Sequence, residues 1–239
     1  MKGMVGTGIV GGTGAIAGAA FLAYAVRGRS AAVFGESVYR GERSQAAVAL
    51  TFDDGPSEST PALLDVLDKY SVTATFFMCG VNVRRCAPVA REVHARGHEI
   101  GNHSDTHPFF QFKSPGFIYN EMARAQEAIQ QATGVTPRWF RAPYGVRWFG
   151  VARGQAKLGL RGVMWTTIGR DYRWAAGRVE HVVVRHASNG AIFCLHDGRL
   201  TSPQPDIRVT IEAVERAIPR IRDRGLSFQT LTQMLGPRP

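Results

Sequence analysis

The chain has 239 residues, of which 44% are hydrophobic and 20% charged, a balance that excludes disordered, collagen-like and coiled-coil proteins. Its net charge of +10 comes from 25 arginines and 4 lysines against 19 acidic residues. Because these cations are scattered, with no basic run and no nucleic-acid-binding motif, we expect no nucleic-acid partner.

The first predicted element is an uncharged stretch over residues 3–26, bounded by basic residues on both sides. It is long enough to span a bilayer as a helix. We expect residues 1–29 to be a signal anchor in the membrane or, with cleavage after Ala25, a signal peptide. Both interpretations place the domain outside the cytoplasm, at the cell envelope. The larger number of arginines after the stretch favours the opposite orientation, and its seven glycines also suit a flexible tail.

After a predicted linker at residues 30–45, short apolar runs alternate with helical patterns. The predicted strands cover residues 47–52, 73–78, 99–102, 139–141, 162–165, 192–195 and 227–230. The predicted helices cover residues 60–69, 82–96, 115–132, 147–158, 175–188 and 206–224. This alternation predicts a single α/β domain with parallel strands, either a (β/α) barrel or an open wound sheet. In both, the loops at the carboxyl ends of the strands carry the chemistry.

Two of these strand ends carry candidate metal ligands. Asp53 and Asp54 end the first strand of the domain before a Gly-Pro turn, where a lone acidic pair would more often cap the next helix. His103 and His107 follow another strand, and in one helical turn their spacing puts both imidazoles on one face. An aspartate with two histidines leaves coordination positions open, which suits one hydrolytic Zn²⁺, with Co²⁺, Mn²⁺ or Ni²⁺ as substitutes.

Two further strand ends supply candidate catalytic residues. Arg141 begins an Arg-Ala-Pro-Tyr-Gly turn, and we expect its guanidinium to pair with a carboxylate. His196 ends an apolar run, and we expect an acid catalyst there rather than a core histidine. We expect about two of five nearby aromatic residues to contact substrate, Tyr172 first. The five are Tyr144, Trp148, Trp165, Tyr172 and Trp174.

The cysteines do not indicate a metal site. Cys79, Cys86 and Cys194 make an odd number without metal-binding spacing, so buried thiols are expected. A bridge between Cys79 and Cys86 stays open for an exported domain.

In this order, the motifs resemble the polysaccharide deacetylase, or NodB-homology, family, which is carbohydrate esterase family 4. The matching segments are Thr-Phe-Asp-Asp-Gly at 51–55, His-Ser-x-x-His at 103–107, Arg-Ala-Pro-Tyr-Gly at 141–145, the segment around Asp171 and Leu-His-Asp at 195–197. The resemblance implies a distorted (β/α) barrel, preceded by the N-terminal hydrophobic segment, with the catalytic domain at residues 46–236.

The resemblance also implies how the metal and the base are held. Asp54, His103 and His107 would be the metal ligands, which leaves Asp53 free as the general base. Arg141 would pair with Asp53 and aim it at the attacking water.

The same resemblance implies which residue is the general acid and which residues line the substrate groove. Asp171 would orient His196, which would donate a proton to the departing amine, while the backbone N–H of Tyr144 would help to stabilise the oxyanion. Many family members carry Asp-x-x-Asp-Trp where this chain has Gly-Arg-Asp171-Tyr172 after Ile168. The first aspartate is therefore lost, and the altered aromatic wall puts substrate preference in doubt more than activity.

The expected activity is metal-dependent hydrolysis of N-acetyl groups on peptidoglycan or a chitin-like N-acetylglucosamine polymer, by a monomer. Two alternatives stay open. One is an O-acetyl esterase acting on a xylan-like polysaccharide. The other is a catalytically silent, membrane-anchored glycan-binding module.

Overall fold

The computed structural model describes residues 8–236, with side chains described from residue 16 onward. Within residues 8–236, nine strands form one sheet. The strands are β1 (Ser37–Val38), β2 (Ala47–Gly55), β3 (Thr75–Met78), β4 (Glu99–Asn102), β5 (Trp139–Phe140), β6 (Arg161–Val163), β7 (Thr167–Ile168), β8 (Ala191–His196) and β9 (Ser227–Phe228). The helices are α1 (Gly8–Arg27), α2 (Thr60–Lys69), α3 (Gly80–Arg85), α4 (Ala87–Ala95), α5 (Pro115–Thr133), α6 (Val151–Leu158), α7 (Ala176–His186), α8 (Arg208–Arg222) and α9 (Leu231–Leu235), with a 3₁₀ turn at Pro143–Gly145.

The sheet is a curled, incompletely closed barrel of parallel strands in the order β1-β6-β5-β4-β3-β2-β8-β7, with β9 paired to the start of β2. The predicted distorted (β/α) barrel is thereby confirmed. Since all strands run in the same direction, their carboxyl ends meet at one edge of the barrel.

Residues of β2 alternate between two cores. Val48 and Leu50 belong to the main core between the sheet and its helices, whereas Ala47 and Ala49 lie inside the barrel, in a cluster that α9 completes. The two-residue period of a strand produces this division. It also directs Asp53 to the barrel interior.

Most predicted elements are confirmed, with three differences. The single helix predicted at 82–96 is instead α3 and α4, separated at Cys86, because Pro88 is tolerated in the first turn of α4 but would interrupt a continuous helix. Strands β1 and β7 and helix α9 were not predicted, since elements of two to five residues are too short to show a periodic pattern. All three cysteines are buried and unpaired, so the Cys79–Cys86 bridge is not formed.

The end of α1 and the segment after it pack against the barrel. Ala25 and Phe34 are buried in a small cluster with Val146, and β1 pairs with β6. Residues 30–45, which we expected to be a linker, thus add a strand to the sheet. Among residues 8–236, no helix is long and apolar enough to cross a membrane. The part of the predicted anchor before Gly8 lies outside the described residues.

Candidate active site

Two neighbouring carboxylates reach one pocket because the end of β2 is irregular. In a regular strand, adjacent side chains point to opposite faces. Here the pairing with β3 shifts between Asp53 and Gly55, and Asp54 has a φ of 72°. This bulge turns the side chains of Asp53 and Asp54 into the same cavity. Both side chains are buried.

Asp54, His103 and His107 form a cluster whose geometry fits a divalent metal. Asp54 Oδ1 lies 3.0 Å from His107 Nε2 and 3.4 Å from His103 Nε2. It is buried and makes no hydrogen bond within the described part of the chain. Ligands about 2.0–2.1 Å from a tetrahedral zinc lie roughly 3.3 Å apart, which matches these separations. The two imidazoles also hold the pKa of Asp54 well below its usual value, although burial acts in the opposite direction.

The surrounding groups leave the ligand atoms available. His103 Nδ1 lies 2.8 Å from the carbonyl oxygen of Arg141, which can only accept a hydrogen bond. Nδ1 therefore carries the proton, and the lone pair is on Nε2. The second oxygen of Asp54 accepts a hydrogen bond from the backbone N–H of Leu200 at 2.8 Å, so Oδ1 is free to coordinate an ion.

The two histidines converge for a different reason from the predicted one. His103 and His107 lie in a loop, not in a helical turn, and both Ser104 and His107 have positive φ angles of 66° and 58°. Glu121 on α5 fixes this loop by accepting hydrogen bonds from the backbone N–H groups of Asp105 and Thr106. The imidazole rings meet with centroids 5.0 Å apart. The predicted helical geometry was wrong, although the side chains come together.

Asp53 is held by an arginine that fills the barrel interior. Arg141 is completely buried, and its Nη1 donates to Asp53 Oδ1 and to Thr51 Oγ1, both at 2.7 Å. Its Nη2 donates to the carbonyl of Met164, and its guanidinium lies over the Phe77 ring. The charge of Asp53 is thus neutralised and its orientation fixed.

His196 and Asp171 form a second oriented pair. Asp171 Oδ1 lies 2.8 Å from His196 Nδ1, and Oδ2 accepts from Thr210 Oγ1. Burial alone lowers the pKa of His196, but Asp171 outweighs it and raises that pKa to about 9. Burial alone raises the pKa of Asp171, but the nearby His196 outweighs it, so the pKa of Asp171 is lowered. At neutral pH the pair is therefore an imidazolium and a carboxylate.

One cavity of about 610 Å³ at the carboxyl ends of the strands is lined by Asp53, Asp54, His103, His107 and His196. Of the five aromatic candidates, Tyr144, Trp165 and Tyr172 line it. The ring of Tyr172 lies 5.2 Å from that of His196, and the ring of Tyr144 lies 4.6 Å from that of His107. Trp148 and Trp174 pack elsewhere, against other aromatic rings and against arginines respectively.

Sequence reasoning missed several residues that support the site. Glu121 and Leu200 were not predicted, because nothing in their neighbourhoods resembles a ligand motif. Cys194 lies within 3.4 Å of Asp53 Oδ2 and lines the cavity. Burial raises the pKa of its thiol well above the usual value, so it remains a neutral donor. Cys194 lies two residues before His196 in the same strand, so both side chains point to the same face of the sheet. That spacing was the signal available in the sequence.

Comparison with known proteins gives a consistent result. The family model described as "Polysaccharide deacetylase" matches residues 40–163. A chitooligosaccharide deacetylase of Bradyrhizobium sp. (strain ANU 289) is 36% identical over 197 residues, covering 79% of this chain and 90% of that protein. A peptidoglycan-N-acetylglucosamine deacetylase of Listeria monocytogenes is 33% identical over 80% of this chain, which spans only 39% of that longer protein.

Solved structures agree with the fold. The Bc1960 peptidoglycan N-acetylglucosamine deacetylase superposes with a TM-score of 0.78 at 27% identity, covering 84% of this chain and 92% of that one. A CE4 family pseudoenzyme from Bacillus anthracis gives a TM-score of 0.75 at 28% identity, covering 83% and 68%. The fold therefore occurs in both deacetylases and a pseudoenzyme, and the site residues decide between the two.

Proposed function

The chain belongs to the polysaccharide deacetylase family, and we propose that it is a metal-dependent hydrolase that removes N-acetyl groups from a cell-envelope or extracellular glycan. Peptidoglycan and chitin-like N-acetylglucosamine polymers are the candidate substrates. The observation that carries the proposal is the meeting of three groups in one cavity. They are the Asp54-His103-His107 cluster, the Arg141-bound Asp53 and the Asp171-bound His196.

Asp54, His103 and His107 would hold one divalent metal, with Zn²⁺ the best match to these ligand types. When bound, such an ion supplies Lewis acidity at the acetyl group. Asp54 Oδ1, which makes no hydrogen bond within the described residues, supports this assignment.

Asp53 would act as the general base. Its Oδ1 is engaged by Arg141, and among the described residues Oδ2 accepts a hydrogen bond only from the weak thiol donor of Cys194, so Oδ2 can accept a proton from an attacking water. The water oxygen then forms a bond to the acetyl carbon. Tyr144 lines the cavity beside His107, where its backbone N–H would bind the oxyanion.

His196 would act as the general acid. Because Nδ1 is bound to Asp171, Nε2 is the nitrogen that can donate to the amide nitrogen as the carbon–nitrogen bond breaks. The products are acetate and the free amine of the sugar. The proton that Asp53 takes up balances the one that His196 gives away.

The test is acetate release by the zinc-loaded protein from peptidoglycan and from chitotetraose. We expect a chelator to abolish release, Zn²⁺ to restore it, and Asp53→Asn to lower kcat by about 10²–10⁴-fold. Asp65→Asn, at an exposed aspartate on α2, is the matched control and should leave kcat unchanged.

Two outcomes would contradict the proposal. Faster release from an acetylated xylan than from either amide substrate would favour the O-acetyl esterase. Glycan binding with stoichiometric metal but without turnover would favour a silent binding module.

A further inference from the structure

Two guanidinium groups that the proposed reaction does not use line the active-site cavity. Arg27 is the last residue of α1, and Arg199 lies in the loop after β8. Neither forms an ion pair with any residue in the described part of the chain, although both lie in a cavity with Asp53 and Asp54.

Arg199 is fixed in place through one of its two terminal nitrogens. Its Nη2 donates to the backbone carbonyls of Asp171 at 3.1 Å and Asp206 at 3.4 Å. Its Nη1 is buried and makes no hydrogen bond within residues 8–236. A buried cationic donor without a partner is costly, and a bound anion would relieve that cost.

Arg27 approaches the cavity from the other wall. Its guanidinium lies 5.6 Å from the centre of the Phe109 ring. That ring contacts Tyr144, which contacts His107. Arg27 therefore lies on the His107 side and Arg199 on the His196 side, since Arg199 is bound to the backbone of Asp171. The buried neighbour Val26 holds the end of α1 in position.

The cavity has more positive charge than its own carboxylates balance. Asp53 is paired with Arg141, and Asp54 is the proposed ligand of a dication, so neither offsets Arg27 or Arg199. Asp206, whose carboxylate senses the charge of Arg199, is itself paired with Arg208. N-acetylglucosamine is uncharged and gives these guanidinium groups no counter-ion. An arginine fork is suited to binding a carboxylate or a phosphate through paired N–H donors.

We propose that the substrate is an acidic N-acetylated sugar, with a carboxylate or phosphate that Arg199 binds directly and Arg27 attracts. This inference rests on the proposed deacetylase function and narrows its substrate class. Carboxylate and phosphate share the same recognition chemistry, and matched substrates separate them.

The test uses two pairs of compounds with the zinc-loaded, full-length protein. The first pair is chitotetraose and a peptide-free tetrasaccharide in which N-acetylglucosamine alternates with the carboxylate-bearing N-acetylmuramic acid. The second is N-acetylglucosamine and its 1-phosphate. We expect the acidic member of at least one pair to have a kcat/KM about 10-fold or more above its neutral partner, mainly through KM. The pair with the larger ratio identifies the anion.

Variants then assign the effect to the residue. Arg199→Gln should reduce the acidic-to-neutral ratio to near 1, Arg199→Lys should restore part of it, and Arg27→Gln should reduce it less. Arg185→Gln, at an exposed arginine of α7 outside the cavity, should leave the ratio unchanged. Equal kcat/KM within both pairs, or an unchanged ratio in Arg199→Gln, would overturn the inference.

A binding measurement keeps this inference separate from the proposed function. If no compound releases acetate, the proposed function has failed. Calorimetric affinities of the zinc-loaded Asp53→Asn protein for the same pairs then decide the inference alone. Tighter binding of an acidic member, lost in Arg199→Gln and weakened by added salt, would support it. Equal affinities within both pairs would contradict it.

Discussion

The proposed role of His196 as an acid depends mainly on its neighbour Asp171. Asp171 raises the pKa of His196 to about 9 against the opposing effect of burial. An acid catalyst works in its protonated form, so kcat/KM should fall as the pH rises through that pKa. Asp171→Asn removes the largest raising charge and leaves burial opposed only by the weaker effects of Asp54 and Asp53, so the pKa of His196 should fall. We therefore expect the alkaline decline in kcat/KM to begin at a pH at least one unit lower in this variant.

The control for this prediction is Thr210→Val. It removes a hydrogen bond to the same carboxylate but keeps the charge of Asp171. The pH at which kcat/KM begins its alkaline decline should then stay within a few tenths of a unit of the original value. If the alkaline decline in kcat/KM begins at the same pH in Asp171→Asn, then that decline does not arise from deprotonation of His196.

Asp197 follows His196 directly in the chain, and its ionisation is expected to affect the stability of the fold. It is completely buried, Oδ2 accepts from Thr60 Oγ1, and Oδ1 has no partner within the described residues. Burial raises the pKa of Asp197 to about 7. A carboxyl group with a raised pKa binds its proton more tightly in the folded state, so its ionisation costs stability as the pH rises from about 4 to about 7. The cost is on the order of 4 kcal/mol.

Asp197→Asn should remove this pH dependence. Urea unfolding of the metal-free protein at pH 5 and pH 7.5 measures it, and the readout is the difference between the two free energies of unfolding. The amide also leaves a group without a partner, so the absolute stability is not the test. An equal difference in the variant and the original protein would assign the pH dependence to other groups.

The sequence could predict these residues only where the chemistry is local. Asp53, Asp54 and His196 end apolar runs, and that position is visible in the sequence. The partners that fix them come from distant parts of the chain. Leu200 binds Asp54 through its backbone, and a backbone N–H has no sequence signature. Glu121 lies in an ordinary amphipathic helix, where an acidic residue is expected on the solvent face.

At the scale of elements, the loop between β4 and α5 determines whether the two histidines meet. Glu121 holds this loop through the backbone of Asp105 and Thr106, and its own side chain is buried. Because Glu121 supports the loop of the two proposed ligands and is not itself a proposed ligand, Glu121→Ala should weaken Zn²⁺ binding by about 10–100-fold. Competition with a chromogenic chelator measures this affinity.

The matched control lies on the same helix. Glu127 is exposed and, within residues 8–236, accepts a hydrogen bond only from Gln131, so Glu127→Ala should leave the zinc affinity unchanged. Circular dichroism of both variants would separate local loosening of the loop from loss of the fold. An unchanged zinc affinity in a folded Glu121→Ala protein would contradict the supporting role of this residue.

The two edge strands that the sequence did not predict share a physical cause. β1 and β7 form the two edges of the sheet and have two residues each, so tertiary pairing rather than local pattern defines them. The four-residue spacing of His103 and His107 suggested a helical turn, but positive φ angles at Ser104 and His107 exclude a regular helix there. Long buried runs such as β2 were predicted because their pattern alone defines them.

At the scale of the whole molecule, the N-terminal segment extends the catalytic domain beyond the predicted boundary at residue 46. Arg147 is buried, and its guanidinium donates to the carbonyls of Ala31 and Gly28. Phe34 packs in a cluster with Val146. A chain that begins at Gln45 would lose these contacts and β1, whereas a chain that begins at Val26 would keep them. The end of α1 also carries Arg27 into the cavity, so this segment bears on both stability and substrate preference.

We therefore expect a chain beginning at Val26 to unfold near the temperature of the full-length protein, and one beginning at Gln45 to unfold roughly 5–15 °C lower. Losing the apolar contact between Phe34 and Val146 costs about 2 kcal/mol, and the orphaned Arg147 adds a similar amount, which at this domain size corresponds to such a shift. Differential scanning calorimetry measures it. Arg147→Met in the shorter chain should recover part of the loss, because it removes a buried cation without a partner. Equal unfolding temperatures for the two chains would show that the packed segment adds nothing to the stability of the barrel.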